Sequence, residues 1–252
     1  ISSGGEASST TVNSAGILAV SGGGSATNIT QSAGGALIAN TSANISGIAN
    51  GGINFYVSNN VASSLVLNNS AVFTVFNDGT ANNLLISSGG TQNVSGLDTA
   101  ATVSTGGVQN VFLSGIASGA TLSGGTQNLS GGSATLTIIS SGGIGNVLAS
   151  GIASATIINS GGRLNVSSGG SSFRTIVNDG GLEYISSGGY GPSASISSGG
   201  NQIIASGGVD SDTTVYTGGT QTVSGYASGT TLSGGTQNVS GGTATLTLIS
   251  SG

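Results

Sequence analysis

The chain has 252 residues, of which 49 are Gly, one is Pro and only 4% are charged, with no Cys, His, Met or Trp. Without Cys or His there is no thiolate or imidazole for a transition-metal site or for nucleophilic and acid–base chemistry by those groups. The net charge is −5 and the only cations are Arg163 and Arg174, so there is no basic surface for nucleic-acid phosphates or anionic lipid.

High Gly and low charge also mark disordered segments, but those are poor in β-branched residues, and here Val, Ile and Thr recur throughout. No Pro-rich or charge-rich linker interrupts the composition, so residues 1–252 read as one structural unit. No signal peptide and no apolar run of about 18 residues is evident, and the chain reads as a mature or excised fragment.

From the N-terminus, Gly16, Gly34 and Gly51 mark coils of a loose consensus. The stretch 45–86 obeys it least and holds Phe55, Tyr56, Phe73 and Phe76. These aromatics read as the core of a less regular coil, with a local binding patch as the alternative. From Gly89 onward a Gly pair recurs, beginning at Gly106, Gly124, Gly142, Gly161, Gly180, Gly199, Gly218 and Gly234, mostly 18 or 19 residues apart. IASGATLSGGTQNLSGGSATLTIISSG, from Ile116 to Gly142, returns almost unchanged as YASGTTLSGGTQNVSGGTATLTLISSG, from Tyr226 to Gly252.

Inside each unit the runs TQNV and ATLTLI alternate with period two between SGG and SSGG turns. A helix is disfavoured because each interior Gly costs it about 1 kcal/mol relative to Ala. Such short runs cannot bury an apolar face alone, and the turns are too short for a crossover helix, so each coil must stack on the next. The expected fold is all-β, a single-stranded right-handed parallel β-helix with about 18–19 residues per coil. Strands stack about 4.8 Å apart, so roughly 13 or 14 coils make a rod about 65 Å long. The Gly pairs belong at corners that need φ > 0 or where stacked backbones approach closely.

Stacking turns coil positions into columns. Val94, Val111, Leu129, Val147, Val166, Ile185, Ile204, Val223 and Val239 form a core column. Two residues earlier, Gln92, Gln109, Gln127, Gly145, Leu164, Glu183, Gln202, Gln221 and Gln237 face the same way and can bond along the axis as a Gln ladder. Leu164 favours an inward or corner position for this column, whereas Glu183 argues for partial solvent access. Between them, Asn93, Asn110, Asn128, Asn146, Asn165, Tyr184 and Asn238 should face solvent. The segment 188–195, with Pro192, reads as a distorted corner. Val209-Asp210-Ser211-Asp212 reads as a solvated turn rather than a cation or catalytic site.

Hydrolases and lyases built on β-helices need clustered titratable groups. The only carboxylates are Glu6, Asp78, Asp98, Asp179, Glu183, Asp210 and Asp212, and the chain reads as a non-enzyme with no cofactor. The Gly pairs lack the Asp of a calcium-binding nonapeptide repeat. Asn-X-Ser/Thr triplets at Asn28, Asn40, Asn93, Asn128, Asn165 and Asn238 read as a by-product of the repeat.

ISSGGTQNVSG from Ile86, LSGGTQNVSGGTATLTLISSG and INSGGRLNVSSGG from Ile158 resemble the passenger repeats of AIDA-type self-associating autotransporters of Gram-negative bacteria. The resemblance is strongest from Ile86 onward. It implies a passenger fragment displayed at the cell surface and outer membrane, acting as an adhesin or invasin in host-cell attachment, autoaggregation, biofilm growth and virulence. It implies as partners a host-cell receptor, like passengers and a heptosyltransferase that adds O-linked heptose to passenger serines. Family members also carry a signal sequence and a membrane barrel, which this sequence does not show.

Carried onto this sequence, the acceptor candidates are the corner serines Ser2, Ser3, Ser87, Ser88, Ser140, Ser141, Ser167, Ser168, Ser186, Ser187, Ser197 and Ser198. Ser also suits tight turns for purely structural reasons. The rival from another class is an unglycosylated ice- or lattice-binding β-helix, which needs one residue type, usually Thr, at paired positions on a flat face.

Overall fold

The computed structural model describes residues 1–250; Ser251 and Gly252, which end the second repeat copy, lie outside the described residues. Each coil runs through three short strands, and each strand hydrogen-bonds to its counterparts in the adjoining coils. One representative coil comprises Thr91–Val94, Leu97–Thr99 and Thr102–Ser104, and the next opens with Val108–Phe112. Thr91 pairs with Val108, Leu97 with Ile116 and Thr102 with Thr121, all parallel and without slip. The result is a β-solenoid with three walls: wall A of 16 strands, including Leu97–Thr99, wall C of 11, including Thr102–Ser104, and wall B of 12, including Thr91–Val94.

Period-two alternation decides what fills the interior. From wall B, Val94, Val111, Leu129, Val147, Val166, Ile185, Ile204 and Val223 are buried, and Val239 in the last wall B strand is half exposed. Wall C contributes Ile86, Val103, Leu122, Ile139, Ile158, Val177, Ile196 and Val215. Wall A contributes small residues, Ala81, Ala117, Ala134, Ala153 and Ala227, which leave room for the larger side chains opposite. Each fully buried Val, Ile or Leu contributes about 1.5–3 kcal/mol, repeated coil after coil.

The corners are three distinct devices. Between walls A and C a single residue in the left-handed region turns the chain, with φ 56° at Ala100, 56° at Leu136, 54° at Arg174 and 57° at Asp212. This turn divides the run ATLTII into Ser133–Thr135 and Ile138–Ser140, so the continuous strand expected there is two strands on two walls. Between walls C and B stands the Gly pair, whose members differ in purpose. Gly142 has φ 82°, whereas a Cβ on Gly143 would lie 2.6 Å from the carbonyl oxygen of Leu122 in the preceding coil. The third corner returns from wall B to wall A, and SSGG occurs there as well, at Ser167–Gly170 and Ser186–Gly189.

Two readings of the chain are corrected by the fold. Gly51 is not a coil corner: Asn44–Ala49, Ile53–Ser58 and Val61–Ser63 form an antiparallel insertion within wall A, and Gly51 lies in its first turn. The second turn is Asn59-Asn60, with φ 51° and 61°, the left-handed pair that suits a two-residue hairpin. Wall B ignores the insertion, pairing Ala36–Asn40 directly with Val72–Val75. Wall C starts only at Val66–Leu67, and the buried Gln31 side chain donates to the Val66 carbonyl at 3.0 Å. The aromatics of this stretch divide: Phe55 and Phe73 are buried, Tyr56 and Phe76 exposed.

Nor is 188–195 a distorted corner. Tyr190–Pro192 is a wall A strand in the ordinary sequence of the coil, followed by a left-handed turn at Ser193. Pro192 lacks an N–H, and the ladder to Ser171–Phe173 is reduced to the pair Ser171–Tyr190.

Two substitutions separate the corner devices in denaturant unfolding. Gly143→Ala is expected to cost about 1–3 kcal/mol, because the added methyl meets a backbone carbonyl held by the stack. Ala100→Gly is expected to stabilise by roughly 0.5–1 kcal/mol, because it relieves a left-handed alanine.

Candidate modification and adhesion surface

The Gln column faces fully inward and forms an axial ladder. Gln109 Nε2 donates to Gln92 Oε1 at 2.8 Å and Gln127 Nε2 to Gln109 Oε1 at 2.6 Å. Further along, Gln221 donates to Gln202 at 2.8 Å and Gln237 to Gln221 at 2.7 Å. The ladder breaks at Gly145 and Leu164, where a Cβ on the Gly would lie 2.8 Å from a Leu164 methyl.

Carboxyl groups complete each half of the ladder. Asp98 takes a wall A position that is Ala in both adjoining coils and accepts from Gln92 at 2.7 Å and Gln109 at 2.9 Å. Asp210 does the same for Gln202 and Gln221, each at 3.0 Å, and also accepts from Thr213 at 2.9 Å. Glu183 accepts from Ser172 at 2.7 Å and from Gln202 at 2.9 Å. All three carboxyls are fully buried. Glu183 therefore has no solvent access, contrary to expectation, because its Gln-column position faces the core. Asp210 lies in the strand Val209–Ser211 rather than in a solvated turn; only Asp212 occupies the exposed turn. Burial pushes the Asp98 carboxyl up to about 6 against the Gln92 and Gln109 bonds. Burial, reinforced by the neighbouring Glu183, pushes Asp210 up to about 8, and burial also raises Glu183. Enclosed in the core, none of the three can exchange a proton with a substrate.

The outer surface therefore carries whatever the molecule does to other molecules. On wall B the Asn column forms a second ladder, half-buried rather than freely solvated: Asn110 donates to Asn93 at 3.0 Å, and Asn128, Asn146 and Asn165 each donate to the preceding Asn at 2.9 Å. Wall A presents Leu97, Ile116, Ile152, Tyr190, Val209 and Tyr226 in an exposed row and Thr99, Ser118, Thr135, Ser154, Ser211 and Ser228 in a half-buried one. None of these side chains is charged, and neither row is a pair of Thr columns of the lattice-binding type.

The candidate serines divide between two corners. Ser87, Ser88, Ser140, Ser141, Ser197 and Ser198 stand between walls C and B; Ser2, Ser3, Ser167, Ser168, Ser186 and Ser187 stand before wall A. In every pair but the first, the leading serine is half-buried and the second exposed; Ser2 and Ser3 are both exposed. The Ser186 hydroxyl donates inward to the Val166 carbonyl at 3.1 Å. Coil geometry also places other exposed hydroxyls at the second position, Thr105, Ser160 and Thr217 at one corner and Ser206 at the other. A search for SSGG alone passes over these, and alignment on the Gly pair finds them.

A family model described as an adhesin of the bacterial autotransporter system, probable stalk, matches residues 46–107. No curated protein sequence matches the chain. Among solved structures, the crystal structure of a TibC-catalysed, hyper-glycosylated TibA fragment is 34% identical, with a TM-score of 0.71 over 98% of this chain and 94% of that one. The chain belongs to the AIDA-type autotransporter passengers. The family's stalk model falls largely on the stretch where the passenger's own repeat is hardest to see.

The passenger's buried acids give its stability a definite pH dependence. Raised pKa values mean that the folded state holds protons the unfolded chain releases, so stability is greatest below the ordinary Asp value of 3.8 and is lost as pH rises through about 6 for Asp98 and about 8 for Asp210. Unfolding midpoints should fall from acid to mildly alkaline pH, and Asp210→Asn should flatten the part of that fall between about 6 and 8.

Proposed function

We propose that the passenger is a bacterial surface adhesin, O-heptosylated on corner serines, that mediates host-cell attachment, autoaggregation and biofilm formation. The observation that carries the reading is the pair of corner columns with exposed hydroxyls, on a chain 34% identical to a hyper-glycosylated passenger fragment. A heptosyltransferase would join each acceptor Ser Oγ to the anomeric carbon of an activated heptose, with loss of the serine proton and the donor's leaving group. In every pair but Ser2-Ser3, where both are exposed, the second serine is the more accessible acceptor and the first is half-buried.

The role is binding rather than catalysis. Glycans stacked at coil spacing along two edges, between walls with almost no charge, present many similar weak contacts to one partner surface. Avidity then replaces the single deep pocket of an enzyme or receptor. Invasion and virulence would follow from attachment, and the outer membrane would be the anchoring compartment.

The test is an intact mass and peptide map of the passenger expressed with and without an autotransporter heptosyltransferase. Heptose increments are expected only with the transferase, concentrated on Ser88, Ser141, Ser168, Ser187 and Ser198 over their half-buried neighbours. An unmodified mass in both samples would withdraw the glycosylation reading.

A further inference from the structure

The antiparallel insertion contributes nothing to the corner columns, and its first turn has a chemistry found nowhere else in the chain. Asn50-Gly51 is the sequence's one Asn-Gly step. Asn50, Gly51 and Gly52 are all exposed, and a Cβ built on Gly51 or Gly52 meets nothing within 4 Å. The turn is closed by the Gly52 N–H donating to the Ala49 carbonyl at 3.0 Å, a bond in which the Gly51 N–H takes no part. With no Cβ on Gly51, no side chain of that residue hinders the approach of its amide nitrogen to the Asn50 side chain by rotation about Asn50 ψ and χ1.

We propose that Asn50 is a site of spontaneous deamidation and isoaspartate formation in this passenger. The Gly51 nitrogen, losing its proton to hydroxide, attacks Asn50 Cγ; the N–Cγ bond forms, the Cγ–Nδ2 bond breaks and ammonia leaves. Water then opens the resulting succinimide at either carbonyl, giving aspartate or isoaspartate. Nothing is oxidised or reduced, and water is the only co-reactant.

The other candidates are held. Asn110, Asn128, Asn146 and Asn165 donate their amides to the ladder and precede Val or Leu in extended strands. The two Asp-Gly steps, which share the succinimide route, have their Gly N–H groups fixed: Gly79 donates to Phe76 at 2.8 Å and Gly180 to Gly199 at 3.1 Å. Asn59 and Asn60 turn the second hairpin, but each is followed by a residue with a side chain.

The product alters an apolar surface. Ile48, Ile53 and Tyr56 stand exposed beside the turn, and Ala49 pairs with Ile53 across it. Deamidation places a carboxylate at this tip, and the isoaspartyl form adds a methylene to the backbone between the paired residues. A projecting, uncharged hairpin becomes, with age, an anionic and loosened one.

The test is peptide mapping after incubation of the folded passenger in mildly alkaline buffer. The Asn50 peptide should convert roughly tenfold faster than any other Asn peptide and appear as two isomers of equal mass, because only Asn50 is followed by a residue without a side chain. Asn50→Gln, which leaves the turn glycines in place, should abolish the doublet; Gly51→Ala should slow it. An Asn50 peptide that ages no faster than those of Asn59 or Asn60, or a doublet that persists in Asn50→Gln, would overturn the proposal.

Discussion

Each coil is only one strand thick, so nearly every backbone hydrogen bond that is not spent on a tight turn runs along the axis to an adjoining coil. Neighbouring strands must then sit about 4.8 Å apart on three walls at once, and three walls can keep that spacing only if the corners keep it too. At the second residue of the Gly pairs there is no room for a side chain against the adjoining coil, and Gly143 beside the Leu122 carbonyl shows how little space remains. This restriction accounts for the composition: Gly where backbones converge, Ser, Thr and Asn where small groups stack, and β-branched residues where strands face the core.

A solenoid of identical strands has a register problem, since slipping by one residue exchanges inside and outside. The buried amide ladder addresses it. Gln92, Gln109 and Gln127 are satisfied only when they stand directly above one another, and Asp98 receives two amide donors only from coils in the observed alignment. A slipped coil would bury unsatisfied amides and a carboxyl without donors, each a penalty of about 1–3 kcal/mol or more. Among the described residues the acids have no cationic partner; burial shifts each toward its neutral form, and amides and hydroxyls surround them. Polar groups that look functional in a list of residues thus serve alignment, and the outer surface is left free for recognition.

At the antiparallel insertion the three walls stop matching. Wall A takes up extra strands while wall B closes past them, and wall C begins only beyond them, with Gln31 covering the Val66 carbonyl. The regular coils after it supply a uniform surface; the insertion supplies a unique one, with an exposed Asn-Gly turn and a small apolar patch.

Period-two alternation, the recurring Gly pair and the repeat of 18 or 19 residues were enough to define a stacked β-solenoid, its Val core column and the inward Gln column, because a repeating backbone must place equivalent residues in equivalent environments. The sequence by itself also located the serines at corners. It did not show that Glu183 and Asp210 are buried, because an isolated carboxylate belongs in water and only the donors brought from adjoining coils make burial tolerable. It did not divide the ATLTII run, because the left-handed turn at Leu136 uses a residue with no turn preference and is imposed by closure of the triangular coil. It did not reveal the hairpin, whose Gly51-Gly52 turn imitates a coil corner until pairing partners are known. Which serine of each pair faces solvent was likewise decided by tertiary structure, since two adjacent, chemically identical hydroxyls differ only in how the coil below them is placed.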